Sequence, residues 1–214
     1  MPASRRTIFY WVVLYCYIFF AWNYYHLVTQ FPGWVDEIVF KPFVELAPIL
    51  FVVFFIEKEG WKSLGFRGIY LKRDVLLGVV IAIVLIAGRL IVKNMVTGAV
   101  EINPHHLTFV DFFLFGVTSG VVGFLEETMF RGYFFQRLWW ISKNELLANI
   151  VTSCMFTLSH VPFVVFILHY SMVDLFFYVM QIIVMGMVFA FVFARTRSVV
   201  PSMTAHSIWK FSNV

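Results

Sequence analysis

Charge is scarce in this chain: Asp, Glu, Lys and Arg make up only 13% of its residues, against 61% that are hydrophobic. That balance, with a mean hydropathy of +0.86, excludes an ordinary soluble domain and indicates a polytopic membrane protein. Cysteine is nearly absent too. Cys16 and Cys154 fall in apolar runs without metal-ligand spacing, so neither a disulfide framework nor a cysteine metal site is indicated, and both read as packing residues. The zinc-hydrolase signature H-E-x-x-H is missing. Internal repeats and low-complexity tails are missing as well, and residues 1–214 read as a single transmembrane domain. A formal net charge of +4 is modest; it reads as membrane topology and not as nucleic-acid binding.

What the chain does have is a series of apolar runs. Ser4-Arg5-Arg6-Thr7 precedes the first, residues 8–21, in the manner of an export signal, but the run is bulky and aromatic and no small-residue cleavage site follows. The reading is a retained first span with a cytoplasmic N-terminus. Its far end, Trp22-Asn23-Tyr24-Tyr25-His26, has the aromatic character of a membrane interface, which makes His26 an interfacial residue. The run 38–56 contains Pro42, Glu45 and Pro48, with Glu45 read as a helix-end carboxylate near the interface. The charged segment 57–74, punctuated by Gly60, Gly65 and Gly68, reads as a surface loop with a short interfacial helix. Arg89, near the end of the third run at 75–92, is placed to snorkel to the interface.

His105 and His106 lack the i,i+4 partner of a helical zinc site and read as solvated. The fourth run, 107–140, exceeds the roughly 20 residues needed to cross a bilayer. Runs at 146–168, 172–194 and 198–214 follow, with Pro162 and Pro201 interrupting the first and last. On alternating loops, Arg5, Arg6, Lys58, Lys62, Arg67, Lys72, Arg73, Arg137, Lys143, Arg195 and Arg197 fall on one side, against Lys41, Arg89, Lys93 and Lys210 on the other. The predicted fold is therefore an all-α polytopic bundle of about seven transmembrane helices, N-terminus in the cytoplasm.

Chemistry concentrates in the stretch 123–160, where two adjacent carboxylates and an arginine interrupt membrane-spanning sequence. Each such charge costs roughly 2.5 kcal/mol or more. Glu127 and Arg131 are four apart, the spacing of an ion pair on one helix face. Glu126 lies about 100° further round and has no partner on its own helix. A carboxylate in a poorly hydrated cavity is a stronger base, because desolvation disfavours its charged form, and that suits taking a proton from water. The short polar break near Lys143 predicts an antiparallel hairpin. Glu126 and His160 each lie 17 residues from Lys143, about 25 Å of helix, so the two side chains are predicted to meet at equal depth.

Three motifs in order resemble a known family. Glu126-Glu127-Thr128-Met129-Phe130-Arg131, then Phe156-Thr157-Leu158-Ser159-His160, then His206 are similar to the E-E-x-x-x-R, F-x-x-x-H and H-x-x-x-N motifs of the CPBP intramembrane proteases. That family, also called Abi, includes CAAX prenyl endopeptidases and bacteriocin-processing or self-immunity proteins. The resemblance covers about residues 60–210. It implies hydrolysis of a peptide bond in a membrane-associated or lipidated peptide, in a multi-pass protein of a bacterial cell membrane. Glu126 would activate water with His160 and His206, while Glu127, Arg131 and Phe156 would support the site. Family members have been described both as metalloproteases and as glutamate enzymes without an obligatory metal. Glu126, His160 and His206 would be the three zinc ligands in the first case.

Where the family has asparagine, this chain has Lys210, an ammonium that either stabilises an oxyanion or snorkels to the outer interface. His206 lies about eight residues into the last run, roughly 12 Å, which is shallower than Glu126 and His160. Two other readings remain open. A catalytically silent member would act by binding, as a self-immunity or scaffold protein; a small transporter would use the same charges as a proton relay.

Overall fold

The computed structural model describes residues 5–29, 31–97 and 108–212; His105 and His106 lie outside them. The described residues form seven helices and no strand: α1 Arg5–Val28, α2 Gly33–Ile56, α3 Leu71–Thr97, α4 Phe109–Ser142, α5 Glu145–Phe166, α6 Met172–Thr196 and α7 Val200–Phe211. Helices are what a bilayer demands, since each satisfies its backbone hydrogen bonds internally. Six are long and apolar enough to cross a membrane. α7 has 12 residues, about 18 Å, and packs mainly on α3 and α4.

Local chemistry sets the helix ends. Thr108 and Asp111 form a reciprocal capping box at the start of α4. Asn144 and Ser171 cap α5 and α6 through the backbone N–H groups of Leu147 and Asp174. Lys143, at φ 56°, turns the chain between α4 and α5 as the predicted hairpin requires. Directly after the carboxylate pair, α4 switches to π-type bonding over Thr128–Phe135, a distortion frequent at functional sites.

Two local readings of the sequence need correction, and two others gain partners. The short helix of the segment after α2 is a 3₁₀ turn, Trp61–Leu64, that docks inward, with Leu64 fully buried and Ser63 O accepting from Arg137 at 2.7 Å. Arg89 donates to Ser212 O at 3.0 Å and lies 4.8 Å from the Trp209 ring, tying α3 to the end of α7. Cys16 and Cys154 are exposed on the bundle surface and are not core packing residues. Glu45 is buried inside the bundle and is no interfacial helix end.

α7 reaches the core because two helices give it room. A side chain at Gly123 would collide with Ser207 Oγ and stand 2.9 Å from Met203 O; one at Gly78 would stand 2.6 Å from Thr204 Cβ. Val199, Pro201 and Ser202 are buried at the start of α7, so the helix begins inside the bundle. That start removes the apparent mismatch in depth between His206 and Glu126. Gly123→Val is therefore expected to lower stability by about 1–3 kcal/mol through overpacking, read as a fall in Tm in detergent. Gly120→Val, where a side chain meets nothing within 4 Å, should leave Tm unchanged.

Candidate active site

The hairpin brings Glu126 and His160 together, with Glu126 Oε2 3.8 Å from His160 Nε2. α7 adds His206, whose Nε2 lies 3.6 Å from the same oxygen. Both rings are held from behind. His206 Nδ1 lies 2.9 Å from Glu127 Oε1, and His160 Nδ1 lies 2.8 Å from Phe156 O. Carboxylate and carbonyl oxygens only accept, so each Nδ1 carries the proton and each Nε2 of a neutral ring is an acceptor.

Glu127 does more than pair with Arg131. Its Oε1 accepts from Arg131 Nη1 at 2.9 Å and from His206 at the same distance, which makes it the link between α4 and α7. Arg131 also donates to Gly186 O at 3.1 Å on α6. The Phe156 ring lies 4.6 Å from the Arg131 guanidinium and touches both histidine rings, at 4.7 and 5.9 Å. Arg131 and Glu127 are at most 2% exposed, so each needs the other.

Glu126 is not the free carboxylate that its own helix suggests. Its Oε1 accepts from Lys41 Nζ of α2 at 2.6 Å. Lys41 is only 4% exposed, as are Glu45 and Glu126, and it also donates to Glu37 at 2.8 Å. The other oxygen of Glu37 accepts from Lys210 at 2.8 Å. Lys210 thus lines the cavity and is paired there, an outcome between the two alternatives the sequence left open. A ladder of alternating charge runs from Glu126 through Lys41 and Glu37 to Lys210, in and beside a cavity of about 210 Å³. His26 lines the same cavity, as does Glu45, whose Oε2 is buried without a hydrogen-bond partner.

The α2 contribution was missed in the sequence, although a signal was there. Glu37, Lys41 and Glu45 recur every four residues in an otherwise apolar run, which puts three charges on one helix face. Lys41 had been counted only as a basic residue of one membrane side.

Residues 108–212 match the family model described as type II CAAX prenyl endopeptidase Rce1-like. Comparison with curated proteins and with solved structures gives no match. The matched stretch, just under half of the chain, holds Glu126, Glu127, Arg131, Phe156, His160, His206 and Lys210; the α2 charges lie outside it. Over the helices that carry its carboxylate pair and both histidines, the chain is similar to the Rce1-like family of type II CAAX prenyl endopeptidases.

Proposed function

We propose that the protein is an intramembrane endopeptidase that hydrolyses a peptide bond in a membrane-associated or lipidated peptide, with Glu126 as general base. The observation that carries this reading is Glu126 Oε2, buried without a hydrogen-bond partner and faced by His206 Nε2 and His160 Nε2 at 3.6 and 3.8 Å. A water molecule beside Glu126 has two donors, one for the carboxylate and one for an imidazole Nε2. Its oxygen attacks the peptide carbonyl while Glu126 takes one proton. The tetrahedral intermediate then collapses, the C–N bond breaks, and the proton passes from Glu126 to the leaving amine. His160 and His206 orient the water, and Glu127, Arg131 and Phe156 hold their rings in place.

Lys41 supplies the counter-charge that lets an ionised Glu126 persist away from water, since Coulomb attraction offsets the desolvation of both groups. A zinc ion would use Glu126, His160 and His206 as ligands and would supply Lewis-acid activation. We read the carboxylate as acting alone, because an ammonium 2.6 Å from Glu126 repels a second cation.

The test is cleavage of a membrane-inserted peptide by the purified protein in proteoliposomes. Cleavage is expected to persist in excess chelator. Loss on chelation with recovery on adding zinc would overturn the metal-free mechanism. A second reading, a silent family member acting as a self-immunity or scaffold protein through binding, is favoured by the Lys41 bond that neutralises Glu126. It requires that the wild type bind a peptide or membrane partner and cleave none.

A further inference from the structure

Of the three carboxylates that line the cavity, Glu37, Glu45 and Glu126, only Glu45 has no donor among the described residues. It sits in the π-type turn Pro42–Leu46 of α2, is 4% exposed, and its Oε2 is buried without a hydrogen-bond partner. The charge ladder closes without it. Glu126 pairs with Lys41, Lys41 with Glu37 and Glu37 with Lys210, so both ammoniums of the wall are engaged by the other two carboxylates. The Asn23 amide and the Ser159 hydroxyl, which line the same cavity, donate within their own helices, to Phe19 O at 2.7 Å and Met155 O at 3.0 Å.

A buried carboxylate without donors is costly, because no hydrogen bond offsets its desolvation. The donor it lacks must come with a ligand. The torsion of a terminal carboxylate is broad, so Glu45 can turn either oxygen toward the cavity. Ile18, Phe19, Met129, Phe130 and Phe163 make much of the wall apolar, which suits apolar side chains and leaves backbone N–H groups as the donors a peptide brings whatever its sequence. Position narrows the choice further. Glu45 lies four residues beyond Lys41 on the same face of α2, roughly 5 Å along the axis, and Lys41 touches Glu126. At about 3.3–3.6 Å per residue of extended chain, a peptide with its scissile carbonyl at Glu126 presents an N–H to Glu45 one or two residues away.

We infer that Glu45 is a substrate-positioning carboxylate, accepting a hydrogen bond from a backbone N–H of the bound peptide one or two residues from the scissile bond. A helical segment bonds its N–H groups internally. The ligand is therefore an extended or unwound stretch of peptide, held at this point through its main chain and not through a side chain. The inference rests on the cavity being a peptide site, as proposed above; binding at Glu45 does not itself require that the peptide be cut.

N-methyl peptides test this, because each removes a single N–H donor. Binding of a panel of dye-labelled, membrane-inserted peptides is measured in proteoliposomes carrying Glu126→Gln, to slow turnover, with and without Glu45→Leu. Glu45→Leu is expected to raise Kd about ten- to hundredfold, the range for one hydrogen bond to a charged acceptor. Its Tm should stay level or rise, since a buried unpaired charge is gone. One N-methyl position should weaken binding by a similar factor where Glu45 is present and have little effect in Glu45→Leu, the mark of a direct contact. An unchanged Kd in Glu45→Leu overturns the proposal, as do N-methyl effects of equal size in both proteins, or a panel from which no peptide binds. A fall in Tm without such coupling assigns Glu45 to the fold instead. Glu45→Gln, which keeps one acceptor oxygen without the charge, repeats the measurement with a smaller rise in Kd if Glu45→Leu does not insert. Cleavage by the wild type is read separately. Coupling without cleavage keeps the role of Glu45 and removes the endopeptidase reading, and cleavage without coupling does the reverse.

Discussion

Glu126→Gln is expected to lower peptide turnover by about 10²–10⁴, the usual contribution of a positioned general base, while the protein still folds and inserts. The amide keeps the shape of the carboxylate, and its carbonyl oxygen still accepts from Lys41. Lys41 in turn keeps Glu37 at 2.8 Å, so no buried charge is stranded. Glu127→Gln should behave differently. It removes the negative charge paired with Arg131 and leaves one neutral amide oxygen for both Arg131 and His206. Loss of a buried charge partner costs on the order of 3 kcal/mol, and the hold on the His206 ring weakens at the same time. Tm in detergent and initial rates, measured on the same preparations, separate the two roles. Equal turnover in wild type and Glu126→Gln, at equal Tm, would end the catalytic assignment of this carboxylate.

What could be read from the chain beforehand was whatever depended on short distances along it. Glu127 and Arg131 meet because they are four residues apart, and Glu126 and His160 meet because each is the same number of residues from one turn. Both statements need only helix geometry. The Lys41–Glu126 bond joins residues 85 positions apart, on helices whose mutual rotation no single-chain pattern reveals. Hydropathy gave no partners. It counted Lys41 as a basic residue of one membrane side, placed Glu45 at the interface and left Arg89 to reach it; Lys41 and Glu45 are buried in the bundle, and Arg89 finds Ser212 O and the Trp209 ring. The loop after α2 misled in the same way. Its glycines and charges suggested solvent, yet Leu64 is buried and Gly132 of α4 leaves room for the Leu64 carbonyl.

Lys210→Met is expected to cut turnover by about 10²–10³, the typical cost of losing one oxyanion donor, whereas Lys210→Asn should retain much of it. Lys210 stands where the family motif has asparagine, four residues after His206 and so on the same face of α7. The structure directs its side chain into the cavity wall, with Nζ 2.8 Å from Glu37 Oε1. Glu37 can release it without leaving a bare charge, because Lys41 stays bonded to the other carboxylate oxygen. A freed ammonium adjoining the cavity can then meet negative charge as it develops on the attacked carbonyl. Asparagine offers two amide donors from the same helix position, and methionine fills the volume with none. The oxyanion role therefore requires the order wild type, Asn, then a much slower Met variant in kcat. A merely structural Lys210–Glu37 pair predicts equal losses in the Asn and Met variants, because both remove the ion pair. If the Met variant cleaves as fast as the wild type, Lys210 has no catalytic role, and the donor must come from elsewhere.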